Sequence, residues 1–151
     1  LGEPDKAATM LEDYRAAHPR DERSAEVAHQ LGIIHEEAAR YKNAENEYSR
    51  ALEYKMPGSA LVEIRYRLGL CREKQGDERG AIAAYALAAS YNQKADTYRL
   101  SSIARSAALH EKNKDYPKAL AAYRDLIKNA TDPEIVVAAQ ERANELQSGK
   151  H

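Results

Sequence analysis

Apolar and small residues recur along this chain at helical spacing, and the series they make is itself repeated. In the middle, Leu68-Gly69 is followed by Ala81, Tyr85 and Ala88. A small residue, a ring four places on and an apolar residue three further lie on one stripe of an α-helix. The same series stands at Leu31-Gly32, Ala44, Tyr48 and Ala51, and again at Ser106-Ala107, Ala119, Tyr123 and Leu126. From Tyr48 to Tyr85 to Tyr123 the steps are 37 and 38 residues. A fixed period of this length marks an array of one supersecondary unit. Each unit reads as two antiparallel helices, A then B, so the fold class is all-α, a solenoid of helical hairpins.

The pattern predicts the first unit over residues 21–56, with an A helix from about Asp21 to Ala39 and a B helix from about Lys42 to Tyr54. Met56-Pro57-Gly58 breaks the chain. The second unit, 58–93, has its A helix from about Ser59 to Lys74 and its B helix to about Tyr91, with Asn92-Gln93-Lys94 as loop. Between them, Gly76 suits the left-handed turn that ends a helix, and Asp77 caps the next. The third unit, 95–130, runs from about Asp96 to Asn113 and from Asp115, with Pro117 behind it, to about Lys128. The first unit's turn, Ala38-Ala39-Arg40, has neither glycine nor an acidic cap. Residues 5–18 read as a lone B-type half repeat carrying Ala7, Leu11 and Tyr14. One face of it is then left for a continuing upstream chain or for a partner. At the other end, 132–147 reads as a capping helix. Thr131 or Asp132 starts it and Glu134 reaches back, with Ile135, Val136, Ala139, Ala143 and Leu146 on one face. Ser148 to His151 should fray.

Composition narrows the function classes. The 151 residues hold 23 basic and 24 acidic side chains, a net charge of −1. No stretch is strongly basic, so generic attraction to nucleic acid or to an anionic membrane is not expected. No apolar run approaches the roughly 18 residues of a membrane span. The single cysteine, Cys71, excludes an internal disulfide. Ten tyrosines stand against no Phe and no Trp, so tyrosine is the large ring of this core.

Candidate chemistry is sparse. His29 and His35 are six residues apart and diverge on a helix. His35 and His110 occupy equivalent repeat positions, where a packed ring is the better reading than a ligand. Cys71 beside Arg72 suggests a thiolate, but a small packing residue suits its helix better. Asn129-Ala130-Thr131 has the form of a glycosylation acceptor, although a helix start accounts for Thr131. Glu73-Lys74 and Glu111-Lys112 read as solvated helix surface. No catalytic, metal or cofactor constellation is expected.

These residues resemble the tetratricopeptide repeat family, whose motif sets a Leu-Gly pair and an aromatic–small–aromatic series over about 34 residues. The Leu-Gly pair is Leu31-Gly32 and Leu68-Gly69, and the helix B triads are Ala44-Tyr48-Ala51, Ala81-Tyr85-Ala88 and Ala119-Tyr123-Leu126. Pro57 and, two residues late, Pro133 approximate the closing proline. The chain departs from the motif at His35, Arg72 and His110, where helix A has an aromatic, and at Ser106-Ala107. The resemblance covers residues 5–147 and implies about three repeats between a half repeat and a capping helix. Met56-Pro57-Gly58-Ser59 and the long period are similar to repeats of bacterial envelope proteins. That implies the periplasm or cell envelope, with the cytoplasm as the alternative.

The resemblance also implies where a ligand would lie. A helices line the inner, concave wall, and the positions facing it carry over as Glu26, His29, Ile33 and Glu36, then Glu63, Tyr66, Leu70 and Glu73, then Ser101, Ala104, Ala108 and Glu111. The centre of this strip is apolar and its borders are acidic. A carboxylate clamp is disfavoured, because Arg67 and Arg105 fall one place along from the inner positions. The expected function is a non-catalytic scaffold that binds a protein or peptide segment in this groove. The alternatives are self-association through the N-terminal face and an accessory domain of an enzyme encoded upstream.

Overall fold

The computed structural model describes residues 2–19, 21, 23–91 and 96–149. The expected loop at 92–94, and Lys150 and His151, lie outside the described residues. Eight helices follow one another: α1 (Glu3–Ala17), α2 (Ser24–Glu37), α3 (Tyr41–Ala51), α4 (Gly58–Lys74), α5 (Glu78–Ala89), α6 (Thr97–Lys112), α7 (Tyr116–Asn129) and α8 (Pro133–Gln147). No strand occurs among the described residues. The hairpins are α2–α3, α4–α5 and α6–α7, stacked in order, with α1 against α2 and α8 against α7. In the middle of the stack α4 meets α6 directly, whereas α5 and α7 make no comparable contact. The A side is therefore the tighter, inner wall there.

The three hairpins turn in the same way. Ala39, Gly76 and Lys114 each take positive φ, at 55°, 81° and 58°. The next backbone N–H then closes onto the preceding helix, from Arg40 to His35 O, Asp77 to Arg72 O and Asp115 to His110 O, at 2.8, 2.9 and 2.8 Å. This bond satisfies a carbonyl that the helix end would leave orphaned. The turn without glycine thus has the geometry of the turn with one. Asp77, Asp96, Asp115 and Asp132 all cap helix N-termini through their side chains. Arg40 cannot, and α3 starts without a side-chain cap. The cap of α8 is Asp132, not Thr131. Asn129 is buried and donates to the Asp125 backbone oxygen at 2.9 Å.

The core runs through the stack rather than sitting inside any one hairpin. Ala28, Ala44, Tyr48 and Ala51 of the first unit cluster with Ile64, Leu68, Cys71 and Ala84 of the second. Leu100 and Ile103 pack with Leu126 and with Ala139 of α8. Each unit buries its apolar face only against a neighbour, so stability resides in the interfaces. Cys71 is wholly buried, and that burial pushes its thiol up to about 12, so it is a packing residue and not a thiolate.

Candidate functional site

Glycine, tyrosine, glutamate and arginine build the inner wall as one repeated device. Gly69 lies so close to the Tyr85 ring that a Cβ there would stand 2.5 Å from Cε1 and 2.6 Å from Cδ1. Gly32 relates to Tyr48 in the same way, with 2.6 Å to Cδ1. The glycine therefore lets the ring of helix B sit on the backbone of helix A, and both rings are fully buried. Where Ala107 replaces glycine, Tyr123 is only partly buried.

Each ring points its hydroxyl at a glutamate one turn past the glycine position. Tyr48 donates to Glu36 at 2.6 Å, Tyr85 to Glu73 at 2.7 Å and Tyr123 to Glu111 at 2.6 Å. Burial, and then the carboxylate acceptor, push all three phenols well above their ordinary range. Each glutamate also receives an arginine from the next A-type helix: Arg67 reaches Glu36 at 3.2 Å, Arg105 reaches Glu73 at 3.2 Å and Arg142 reaches Glu111 at 2.8 Å. A Tyr–Glu–Arg ladder thus ties helix B to its own helix A and ties that helix A to the following unit. Glu73 and Glu111 are therefore not the solvated surface that their place beside a lysine suggests. Only Lys74 and Lys112 are exposed, and both glutamates are partly buried and doubly bonded.

With Glu36, Glu73 and Glu111 engaged in this ladder, the other expected groove residues divide into rim and floor. Glu26 is exposed. Glu63 accepts from Arg67 at 2.8 Å. His29 lies 3.7 Å from Glu63 and 6.2 Å from the Tyr48 ring, and burial holds its pKa below the usual 6.5. Ile33 packs on the first core cluster, and Tyr66 on the cluster around Tyr85. Leu70 is half-buried and Ala108 exposed. Ser101 and Ala104, with Leu100, Leu126 and Ile135, line a cavity of about 340 Å³ between α6 and the start of α8.

A family model described as tetratricopeptide repeat matches residues 63–96. This segment is a tetratricopeptide repeat. It takes in most of α4 and all of α5; the units on either side reproduce its hairpin and turn, and the first also reproduces its Gly–Tyr contact. No curated protein matches the chain.

Two features of the inner wall escape the motif. Tyr98 lies 5.5 Å from Tyr66, centroid to centroid, and Tyr66 lies 6.0 Å from Tyr85, so three rings run inward from the core. Tyr98 is one turn before Ser101 on the same stripe. Extending the stripe by a turn would have found it. The ladder arginines carry the repeat period too, at 67, 105 and 142. No helix among the described residues is long and apolar enough to cross a membrane.

Proposed function

We propose that this tetratricopeptide array is a non-catalytic binding module that takes a peptide or helical segment on its inner wall, across Tyr66, Leu70, Ala104 and Ala108. The observation that carries the reading is the Tyr66–Tyr98 ring pair on the inner wall, with a cavity lined by Ser101 and Ala104 further along α6. Rings on one side and a low floor of small residues on the other suit an apolar anchor side chain of a partner. The ladder beneath holds this wall in place before any partner arrives, which lowers the ordering cost of binding.

Tyr66→Ala with Leu70→Ala tests it. The pair should abolish capture of partners from lysate while helicity by circular dichroism stays near that of the parent. Leu87→Ala, on an exposed residue of helix B, serves as the control. Capture that survives the inner-wall pair, or that Leu87→Ala removes equally, would move the binding surface elsewhere. A second reading, self-association through α1, draws on Met10, which is 73% exposed. Sedimentation of a strict monomer across concentration would remove it.

A further inference from the structure

The two ends of the stack expose positions that its interior buries. On α1, Met10 is 73% exposed, whereas Glu47 and Ala84, at the same place in the next two B helices, are buried. On α8, Val137 is 55% exposed, whereas its equivalents Val62 and Leu100 are buried. Arg142 gives α8 the place of an A helix in the ladder. Among the described residues α1 is thus a B-type helix with no A helix of its own, and α8 an A-type helix with no B helix of its own. Each end has the element that the other lacks.

Interior contacts, carried along by the repeat period, name the residues that meet when α8 of one copy lies on α1 and α2 of another. Leu100 packs with Leu126 and Ala139. The corresponding residues are Val137 on α8, Tyr14 on α1 and Val27 on α2. Tyr14 and Val27, with Leu11, line a cleft of about 270 Å³ between α1 and α2 that is open to receive Val137. The Tyr66–Tyr98 ring pair becomes Glu141 opposite Arg23, which are opposite charges. Glu141 is exposed, and Arg23 is oriented by Asp21 at 3.2 Å. The Tyr–Glu–Arg rung becomes Leu11, Ser148 and Gln30. Hydroxyl, carboxylate and guanidinium are replaced together, so the seam strands no buried charge or phenol.

We propose that the chain associates head to tail, with α8 of one copy docking in the cleft between α1 and α2 of a second copy and completing a hairpin across the seam. The charge match of Glu141 with Arg23 and the apolar match of Val137 with Tyr14 and Val27 single out this chain's own α8 as the occupant. The two faces are different patches, so the contact is heterologous and each added copy presents a fresh face. The proposal rests on the self-association reading, for which it supplies the opposing surface, and is independent of the inner-wall groove.

Sedimentation velocity on the whole chain, from micromolar to millimolar concentration, tests it with Met10→Lys and Val137→Lys. Both changes fall on exposed side chains, and circular dichroism checks that helicity is kept. A variant that loses helicity is replaced by the glutamine at the same position. The parent should grow past a dimer as concentration rises. Each variant alone has one spoiled face and should stay monomeric. An equimolar mixture of the two should form a heterodimer and stop there, because it holds one matched pair of faces. Glu141→Arg, which sets like charge against Arg23, should weaken the parent's association about fivefold, the upper end for an exposed charge pair. A parent that stays monomeric would overturn the proposal together with the self-association reading. Association that persists in Val137→Lys would overturn the proposal alone and leave contact through α1 by another face. A mixture that stays monomeric or grows past a dimer, or an unchanged Glu141→Arg, would also overturn it.

Discussion

Gly69→Ala separates two effects of opposite sign, and the structure says which wins. Inside a helix, alanine is favoured over glycine by about 1 kcal/mol. Against this stands the Tyr85 ring, with Cε1 at 2.5 Å and Cζ at 3.1 Å from the new Cβ. The ring cannot retreat cheaply. It is fully buried, and its hydroxyl is tied to Glu73 at 2.7 Å. Overpacking of this kind costs about 1–3 kcal/mol, so the net change should be a loss of about 0–2 kcal/mol. The decisive comparison repeats Gly69→Ala in a Tyr85→Leu background, where no ring meets the new methyl. There the alanine should stabilise by about 1 kcal/mol. The sign therefore reverses between backgrounds, and the coupling equals the overpacking cost of about 1–3 kcal/mol. Thermal melts by circular dichroism resolve it, since 1 kcal/mol moves Tm by about 2–4 °C in a chain of this size. An equal stabilisation in both backgrounds would show that the ring does not need the glycine.

Other consequences can be checked on the same melts. Glu73→Ala leaves the buried Tyr85 hydroxyl without its acceptor and should cost about 2 kcal/mol. Adding Tyr85→Phe should recover part of that loss, and strict additivity would deny the ladder. Ala39→Gly relieves a left-handed alanine, worth about 1–2 kcal/mol, at a smaller cost in unfolded-chain entropy. It should raise Tm, whereas Ala38→Gly, next to it but at φ −82°, should lower it. Burial lowers the pKa of His29, His35 and His110 from 6.5. The unfolded chain then takes up protons first, so this stability is complete above about pH 6.5 and declines as pH falls below it. Urea midpoints at pH of about 7.5 and 5.5 should show the fall, and unchanged midpoints would place these rings in water.

How much could be read beforehand depends on whether a feature lies within one helix or between two. Gly32, Gly69 and the tyrosine stripe were legible because each obeys the helical period locally. The caps at Asp77 and Asp115 were legible because capping is decided within a few residues. The ladder was not. Glu36 and Tyr48 are twelve residues apart across a turn, and Arg67 comes from the next unit, so no local pattern brings them together. Its only trace is that the glutamates and arginines share the repeat spacing of the tyrosines. The turn at Ala39 was obscured for another reason. The closing bond from Arg40 to His35 O and the packing around it hold an alanine in a conformation its own preference disfavours.

The ladder also bears on how such a chain can grow. The middle unit carries both halves of the connection: Arg67 takes the preceding glutamate, and Glu73 offers itself to the next arginine. The first unit has Gln30 where that arginine would stand, and Ser148, just past the end of α8, takes the place of the glutamate. A second copy of the middle unit inserted in tandem would therefore find every bond waiting on both sides. A second copy of the first unit would leave Glu36 facing a glutamine. Internal duplication is thus open to the middle and third units of this chain and obstructed for the first, a rule for lengthening the array written in three side chains per turn of the stack.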